Sequence, residues 1–290
     1  MKAYIDKASV LIEALPYIQK FKGKKVVIKY GGSVISEEIY CRSILRDVVF
    51  MKTVGMHPII VHGGGKIISD RLKNAGIEPK FIHGLRYTCE KTMDIVSTVL
   101  RKEVSKHIAD ILDEFGASPF IVNGVDHNAI LCSQKKEHLG RTIDLGFVGE
   151  VEEIDKDLIL EACKDNKIPI IAPVGVDKSG QTYNINADIM AGELCYAINA
   201  EKMVYLSDIS GILKDIDDPE SIISSLRQSE VDPMIEDGTI HGGMIPKILA
   251  CLKSLSSGSQ KVHIIDGRLQ HSLLLEIFTD KGVGTEIVPD

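Results

Sequence analysis

The sequence predicts an α/β protein: βα units on a mainly parallel sheet covered on both faces. Two observations carry that expectation. Short β-branched runs alternate with longer amphipathic segments through the 290 residues. Glycine clusters also follow apparent strands at the points where helices begin.

Segment 8–21 opens the series. Val10, Leu11, Ala14, Leu15 and Ile18 fall on one face at helical spacing with Pro16 in the middle, which predicts a helix kinked at its proline and bearing an apolar stripe. The stripe either covers the protein's own core or packs on another subunit. VVIKY at 26–30 reads as the first strand, with helical patterning up to Val54, and HPIIVH at 57–62 as the second, with a helix up to Ala75. A long helix is expected over 90–115, then the strand SPFIVN at 118–123. In the second half, IPIIAPV at 168–174 and TYNIN at 182–186 precede a helix that begins near Asp188. EKMVYLSD at 201–208 follows, then a helix after Gly243, the strand QKVHIID at 260–266 and a last helix over 270–278. Between these, 215–225 is polar and turn-rich, which predicts a surface excursion. No internal repeat divides the chain, so two lobes meeting near 174–184 are expected.

Composition narrows the function classes. Hydrophobic residues make up 44% and charged residues 26%, enough for one large core or two modest ones. Apolar runs are broken long before the roughly 18 residues that a membrane span needs. The first twenty residues include Asp6 and Glu13 and do not read as a signal peptide. Six cysteines, scattered at 41, 89, 132, 163, 195 and 251, lack metal-site spacing and read as free thiols in a reducing compartment, which predicts a cytoplasmic protein. A net charge of -7 argues against a nucleic-acid binder. Any anion must therefore be bound by local cations and backbone N–H groups.

Three glycine clusters fit that requirement: YGGS at 30–33, HGGGK at 62–66 and DGTIHGGMIPK at 237–247. Glycine after a parallel strand lets backbone approach a ligand, and the following helix aims unpaired N–H groups at an anion. Neither a P-loop nor a dinucleotide fingerprint fits them. Lys29 sits inside the apolar run VVIKYGG, where an ammonium is costly unless it meets an anion at the strand end or snorkels from an edge. TYNINAD puts Asn184, Asn186 and Asp188 on one face of an extended stretch. Two amides there suit a neutral acetamide or a carboxylate, and Asp188 reads either as functional or as the helix N-cap. Arg86 in HGLRYT offers a planar fork for a carboxylate, or is simply a solvated loop residue. SDISG at 207–211 suits a nucleotide end but also reads as a plain turn. HExxH, GxSxG and paired cysteine ligands are missing, which excludes the zinc-protease, α/β-hydrolase and zinc-finger classes. A carboxylate nucleophile, ionised at neutral pH, agrees with such a sparse inventory.

In order, K-x-G-G, HGGG, G-x-R-x-T, N-x-N-A-D, S-D-x-S-G and GGM-x-x-K resemble the amino-acid kinase family, and within it the N-acetylglutamate kinases of arginine biosynthesis. The resemblance covers the chain from about residue 8 to its end. It implies an open αβα sandwich with an N-terminal helix for oligomerisation over 1–21, an acyl-substrate lobe over 22–178 and a nucleotide lobe over 179–290. It further implies ATP-dependent phosphorylation of N-acetyl-L-glutamate, with Mg2+ carried by the nucleotide and no protein metal site. Lys29 and Lys247 would stabilise the transferred phosphoryl group, and Asp188 would hold both lysines. Gly31, Gly32, Gly64 and Gly65 would donate backbone N–H groups, Arg86 and Asn184 would bind the acyl substrate, and Asp208 and Gly211 would lie along ATP.

A second resemblance is to the arginine-inhibited, hexameric branch, a trimer of dimers with an N-terminal kinked helix. Tyr17, His263, Glu276 and Gly282 match its arginine site, with Glu276 answering the effector's guanidinium. A nitrogen-signalling protein of the PII type is a further partner that the resemblance allows, as is a plastid stroma location in a photosynthetic eukaryote. Departures are His83 and Ser105, each where asparagine is usual, and VNGVDHN at 122–128 in place of a more glycine-rich version. The alternatives are a kinase for carrier-linked aminoadipate or glutamate of lysine biosynthesis, and a non-catalytic arginine sensor.

Overall fold

Three consecutive valine and isoleucine residues, Val26 to Ile28, are buried on both faces of a strand at the middle of the molecule, as a central parallel strand requires. The computed structural model describes all residues except 2–3, 6–8, 10–11, 32, 139–140, 216–217, 219–220, 242–243, 257–259 and 280–281. Its main sheet has eight strands in the order Ser225–Arg227, Thr285–Val288, Val262–Asp266, Lys202–Ser207, Lys25–Tyr30, His57–His62, Lys167–Ile171 and Ser118–Val122. Neighbours pair parallel except Val262–Asp266 with Thr285–Val288. The order reverses direction on either side of Lys25–Tyr30 and its neighbours, so a crevice opens at the carboxyl ends of the central strands.

Alternation along the strands feeds two cores. Val26, Ile28 and Tyr30 pack with the helices Glu38–Thr53 and Ser105–Glu114, whereas Val27, Met203 and Tyr205 pack with Ala187–Ile198 and Met244–Ser256. The result is the expected αβα sandwich. The sheet is continuous across residue 179, because Lys25–Tyr30 pairs directly with Lys202–Ser207. No helix among the described residues is long and apolar enough to cross a membrane. None of the six cysteines forms a disulfide.

The long helix expected over 90–115 exists, with a π-helical stretch, Val99–Val104, between Glu90–Thr98 and Ser105–Glu114. Ser105 Oγ reaches the Leu100 carbonyl at 2.9 Å, five residues back, which matches the wider turn. Phe81–Ile82 and Leu85–Arg86 form a hairpin whose two turn residues, His83 and Gly84, have φ of 47° and 81°. Asparagine is the easier residue at such a position, so His83 carries some backbone strain.

Helical residues stand on both sides of Pro16, at 9 and 12–13 and again over Leu15–Phe21, with a turn at Ala14 between them, as a break near the proline requires. Other elements differ from expectation. Ala8, Val10 and Leu11 lie outside the described residues; Leu15 is 44% and Ile12 67% exposed, so that part of the segment does not cover the chain's own core. The last helix shortens to Ser272–Ile277. Asp215 and Asp218 are exposed, as a surface excursion requires, while 216, 217, 219 and 220 lie outside the described residues. Sequence reading missed the helix Gln228–Glu236, the strands at 225–227 and 285–288, and a four-stranded sheet of Thr182–Asn184, Val174–Val176, Ile130–Gln134 and Gly149–Ile154.

Candidate active site

Lys29 is the penultimate residue of its strand, and its ammonium turns to Asp188, with Nζ and Oδ1 2.8 Å apart. Gly31 makes room for that turn, because a Cβ there would stand 2.9 Å from Lys29 Nζ. Asp188 occupies the first turn of Ala187–Ile198, but it is not the cap. The Asn186 side-chain oxygen accepts from the N–H groups of Asp188 and Ile189 at 2.8 and 3.1 Å, which leaves the Asp188 carboxylate free for the lysine. The two asparagines therefore divide the work: Asn186 caps, and Asn184 sends Nδ2 to Thr88 Oγ1 at 3.2 Å. Gly32 lies outside the described residues, as do Gly242 and Gly243.

Of the two lysines expected on Asp188, Lys29 is paired with it and Lys247 is paired elsewhere. Lys247, one turn into Met244–Ser256, donates to Asp208 Oδ1 at 2.5 Å and to Ser207 Oγ at 2.7 Å. That hydrogen bond from Lys247 holds the Asp208 carboxyl below the usual range, against the opposing effect of burial. Asp208 directly follows the strand Lys202–Ser207, and Asp188 is already engaged by Lys29. Lys29, Lys247, Asp188, Tyr205 and Ser207 nonetheless line one small cavity of about 70 Å3. Beyond it opens a cleft of about 600 Å3 bounded by Asp208, Gly211, Leu213, Met244 and Arg268, with apolar walls wide enough for a purine. Gly211 has a φ of 144°, and a Cβ there would meet Thr285 Oγ1 at 2.7 Å.

On the other side of Lys29 lies a pocket of about 260 Å3 lined by Gly31, Gly64, Gly65, Arg86, Asn184 and Asp188 among others. Gly64 precedes the helix Gly65–Asn74, whose first N–H groups are unpaired within the helix. Arg86 is 8% exposed and lies over the Phe81 ring, 4.7 Å from its centroid. Its Nη2 donates to Gly65 O at 2.8 Å and Ser69 Oγ at 2.9 Å, while buried Nη1 has no hydrogen-bond partner among the described residues. An orphaned guanidinium N–H at the wall of a pocket is what a bound carboxylate satisfies. Burial alone lowers the Arg86 pKa from the ordinary guanidinium value, and a bound anion would oppose that shift.

His62 stiffens this region. Its Nδ1 faces Gly63 O at 3.0 Å and its Nε2 faces Ser105 Oγ at 2.7 Å, so Ser105 braces the glycine loop from the π-helical stretch. Burial pushes the imidazole down to about 4, with the Gly63 carbonyl opposing. Between about pH 6.5 and 4 the unfolded chain binds a proton at His62 that the folded chain does not, so stability is full above that window and falls as pH drops through it, by of the order of 3 kcal/mol. Denaturant titrations at pH 7 and 4.5 should show a smaller loss for His62→Gln than for the parent. Equal losses would remove His62 from the account.

The four residues matched to an effector site gather at the opposite end of the Val262–Asp266 strand's neighbourhood. His263 Nδ1 and Glu276 Oε1 are 2.6 Å apart, and Glu276 Oε2 accepts from Val283 N–H at 2.9 Å. Burial pushes the Glu276 carboxyl up, yet His263, the Val283 N–H and Lys202 outweigh it and hold the group below its ordinary value. Gly282, with φ 62°, passes so close that a Cβ would meet Glu276 Oε2 at 2.7 Å. Tyr17 joins through Phe278, edge to face at 6.5 Å. Sequence reading missed His62, Ser207 and Tyr205, although Ser207 stood within the quoted SDISG run. Among the described residues no group of three or more His, Cys, Asp or Glu could hold a metal ion.

A model of the amino acid kinase family matches residues 24–266. The chain is 47% identical over 290 residues to the acetylglutamate kinase of Heliobacterium modesticaldum, covering 98% of each. It is 44% identical over 287 residues to that of Methanothermobacter thermautotrophicus, covering 96% of this chain and 98% of the other. Among solved structures, N-acetylglutamate synthase from Neisseria gonorrhoeae complexed with coenzyme A and N-acetyl-glutamate matches 98% of this chain with a TM-score of 0.84 at 24% identity. The match spans 63% of the synthase chain, less than two thirds of its length. Carbamate kinase from Giardia lamblia bound to AMP-PNP matches 92% of this chain and 99% of its own with a TM-score of 0.63 at 15% identity. At these identities the solved structures speak to the fold alone.

Proposed function

This chain belongs to the amino acid kinase family, and from that premise we propose that Lys29 and Lys247 flank the phosphoryl group as it passes from ATP to a carboxylate. The reaction is the one for which its nearly full-length relatives are named: N-acetyl-L-glutamate is phosphorylated on its side-chain carboxylate by ATP, in arginine biosynthesis. What supports the assignment of the two lysines is one observation. Ammonium groups from opposite halves of the chain line a single cavity between a nucleotide-sized cleft and an arginine-bearing pocket.

In this reading Arg86 and Asn184 hold the acyl substrate, with the orphaned Nη1 on its free carboxylate. Gly64 and Gly65 offer N–H groups to both reactants, while Asp208 and Gly211 lie along ATP. We take 22–178 as the acyl lobe and 179–290 as the nucleotide lobe. The side-chain carboxylate, ionised at neutral pH, attacks the γ-phosphorus in line. The new O–P bond forms as the bond to the ADP oxygen breaks, giving N-acetyl-L-glutamyl 5-phosphate and ADP. No base is needed. Mg2+ carried with the nucleotide would neutralise part of the phosphate charge. Lys247 is the easier lysine to recruit, because its pair with Asp208 is more exposed than the Lys29–Asp188 pair and is correspondingly weak. A coupled assay of ADP release tests the reading: turnover with N-acetyl-L-glutamate supports it. Turnover only with carrier-linked aminoadipate or glutamate, or none at all, contradicts it.

We further propose that L-arginine binds at Tyr17, His263, Glu276 and Gly282, and that the N-terminal segment joins dimers into a hexamer. The buried, anionic Glu276 and the exposed Ile12 and Leu15 support this. Deleting residues 1–21 should reduce the mass seen by light scattering to that of a dimer and weaken arginine inhibition about 10-fold or more. An unchanged mass would remove the segment as the linker.

A further inference from the structure

The strand Lys202–Ser207 is aliphatic and buried at its centre except for one phenol, Tyr205. A buried hydroxyl needs a partner, so its position is worth following. Tyr205 stands opposite Lys29 on one neighbouring strand and opposite Ile264 on the other, so all three side chains share one face of the sheet. That face is covered by the helices Ala187–Ile198 and Met244–Ser256, which carry Asp188 and Lys247.

The phenol touches both helices. Tyr205 OH donates to the Asp188 backbone carbonyl at 3.3 Å and shares a hydrogen bond with Ser254 Oγ at 3.0 Å. Ser254 is 1% exposed and lies two turns beyond Lys247 on the same helix. The helices close at this level because the facing residue is Gly192, where a Cβ would meet Ser254 Oγ at 2.8 Å. Burial raises the phenol well above its ordinary pKa, so it keeps its proton. Tyr205 also lines the small cavity with Lys29, Asp188 and Lys247.

We infer that Tyr205 is a positioning residue for phosphoryl transfer: its hydroxyl braces the Asp188 helix against the Lys247 helix and so sets the gap between the two ammonium groups. The inference rests on the kinase reading of this site. Its energetic logic is geometric, since a misplacement of about 1 Å at a reacting centre costs up to about 100-fold in rate. Tyr205→Phe keeps the ring and removes the hydroxyl with its bonds to the Asp188 carbonyl and Ser254 Oγ.

The test has two arms. In the first, Tyr205→Phe should lower kcat about 10-fold with KM for N-acetyl-L-glutamate within about twofold and KM for ATP within a fewfold, and should cause no further loss in a Lys29→Met background. In the second, calorimetry should show ADP affinity unchanged but the preference for ATP over ADP reduced about threefold or more, because the lysines no longer converge on the γ-phosphate. Ser254→Ala should shift both readouts the same way, and stands in should Tyr205→Phe fold poorly. Parent-like kcat with parent-like ATP preference overturns the inference, as does a Tyr205→Phe loss that multiplies fully with Lys29→Met. A parent chain with no turnover of N-acetyl-L-glutamate counts against the function instead, while the ATP preference still reads the brace. A parent that binds no ATP overturns both.

Discussion

Lys29→Met lowers kcat about 100- to 1,000-fold while KM for ATP and for N-acetyl-L-glutamate stays within a fewfold, and Lys247→Met does the same. The size follows from removing one preorganised cation aimed at charge that grows only in the transition state. Each lysine is neutralised by its own aspartate in the absence of ligand, Lys29 by Asp188 and Lys247 by Asp208. Ground-state affinity for the triphosphate therefore owes less to them than to backbone N–H groups and the walls of the cleft. Fold is less at risk, because methionine fills a similar volume and the Asp208 side chain is half exposed, although Lys29→Met leaves the buried Asp188 Oδ1 without its ammonium. Steady-state kinetics with both substrates varied checks the split. Parent-like kcat in either variant, or a loss confined to KM, would contradict the assignment.

Arg86→Ala raises KM for N-acetyl-L-glutamate about 100-fold and leaves KM for ATP within about twofold. Two losses combine. The substrate carboxylate forfeits a charge-assisted fork, and the Gly65 carbonyl and Ser69 hydroxyl lose the Nη2 donor that ties them to the hairpin. Because the guanidinium also covers Phe81, thermal denaturation should be recorded alongside, with a decrease of a few degrees expected. An effect seen only on ATP would contradict the placement of the acyl substrate in this pocket.

Legibility in the sequence followed periodicity and glycine. The central strands were readable because VVIKY, HPIIVH and KMVYLSD are apolar on both faces, which only a covered parallel sheet tolerates. Glycine marked the loops because Gly31 must admit the folded-back Lys29 side chain. What stayed hidden was of two kinds. The edge strand Ser225–Arg227 and its neighbour Thr285–Val288 are short and half polar, so they resemble loops. Pairings escaped in part: the family resemblance put Lys29 on Asp188, but nothing in TYNINAD says that Asn186 caps the helix, and nothing in SDISG that Lys247 settles on Asp208.

The most direct trial is a crystal structure with ADP, aluminium fluoride and N-acetyl-L-glutamate bound. The account predicts Lys29 Nζ and Lys247 Nζ each about 3 Å from fluorides of the planar mimic, with Lys247 released from Asp208 and Arg86 on the acyl carboxylate. Either ammonium still on its aspartate and more than about 6 Å from the mimic would contradict it.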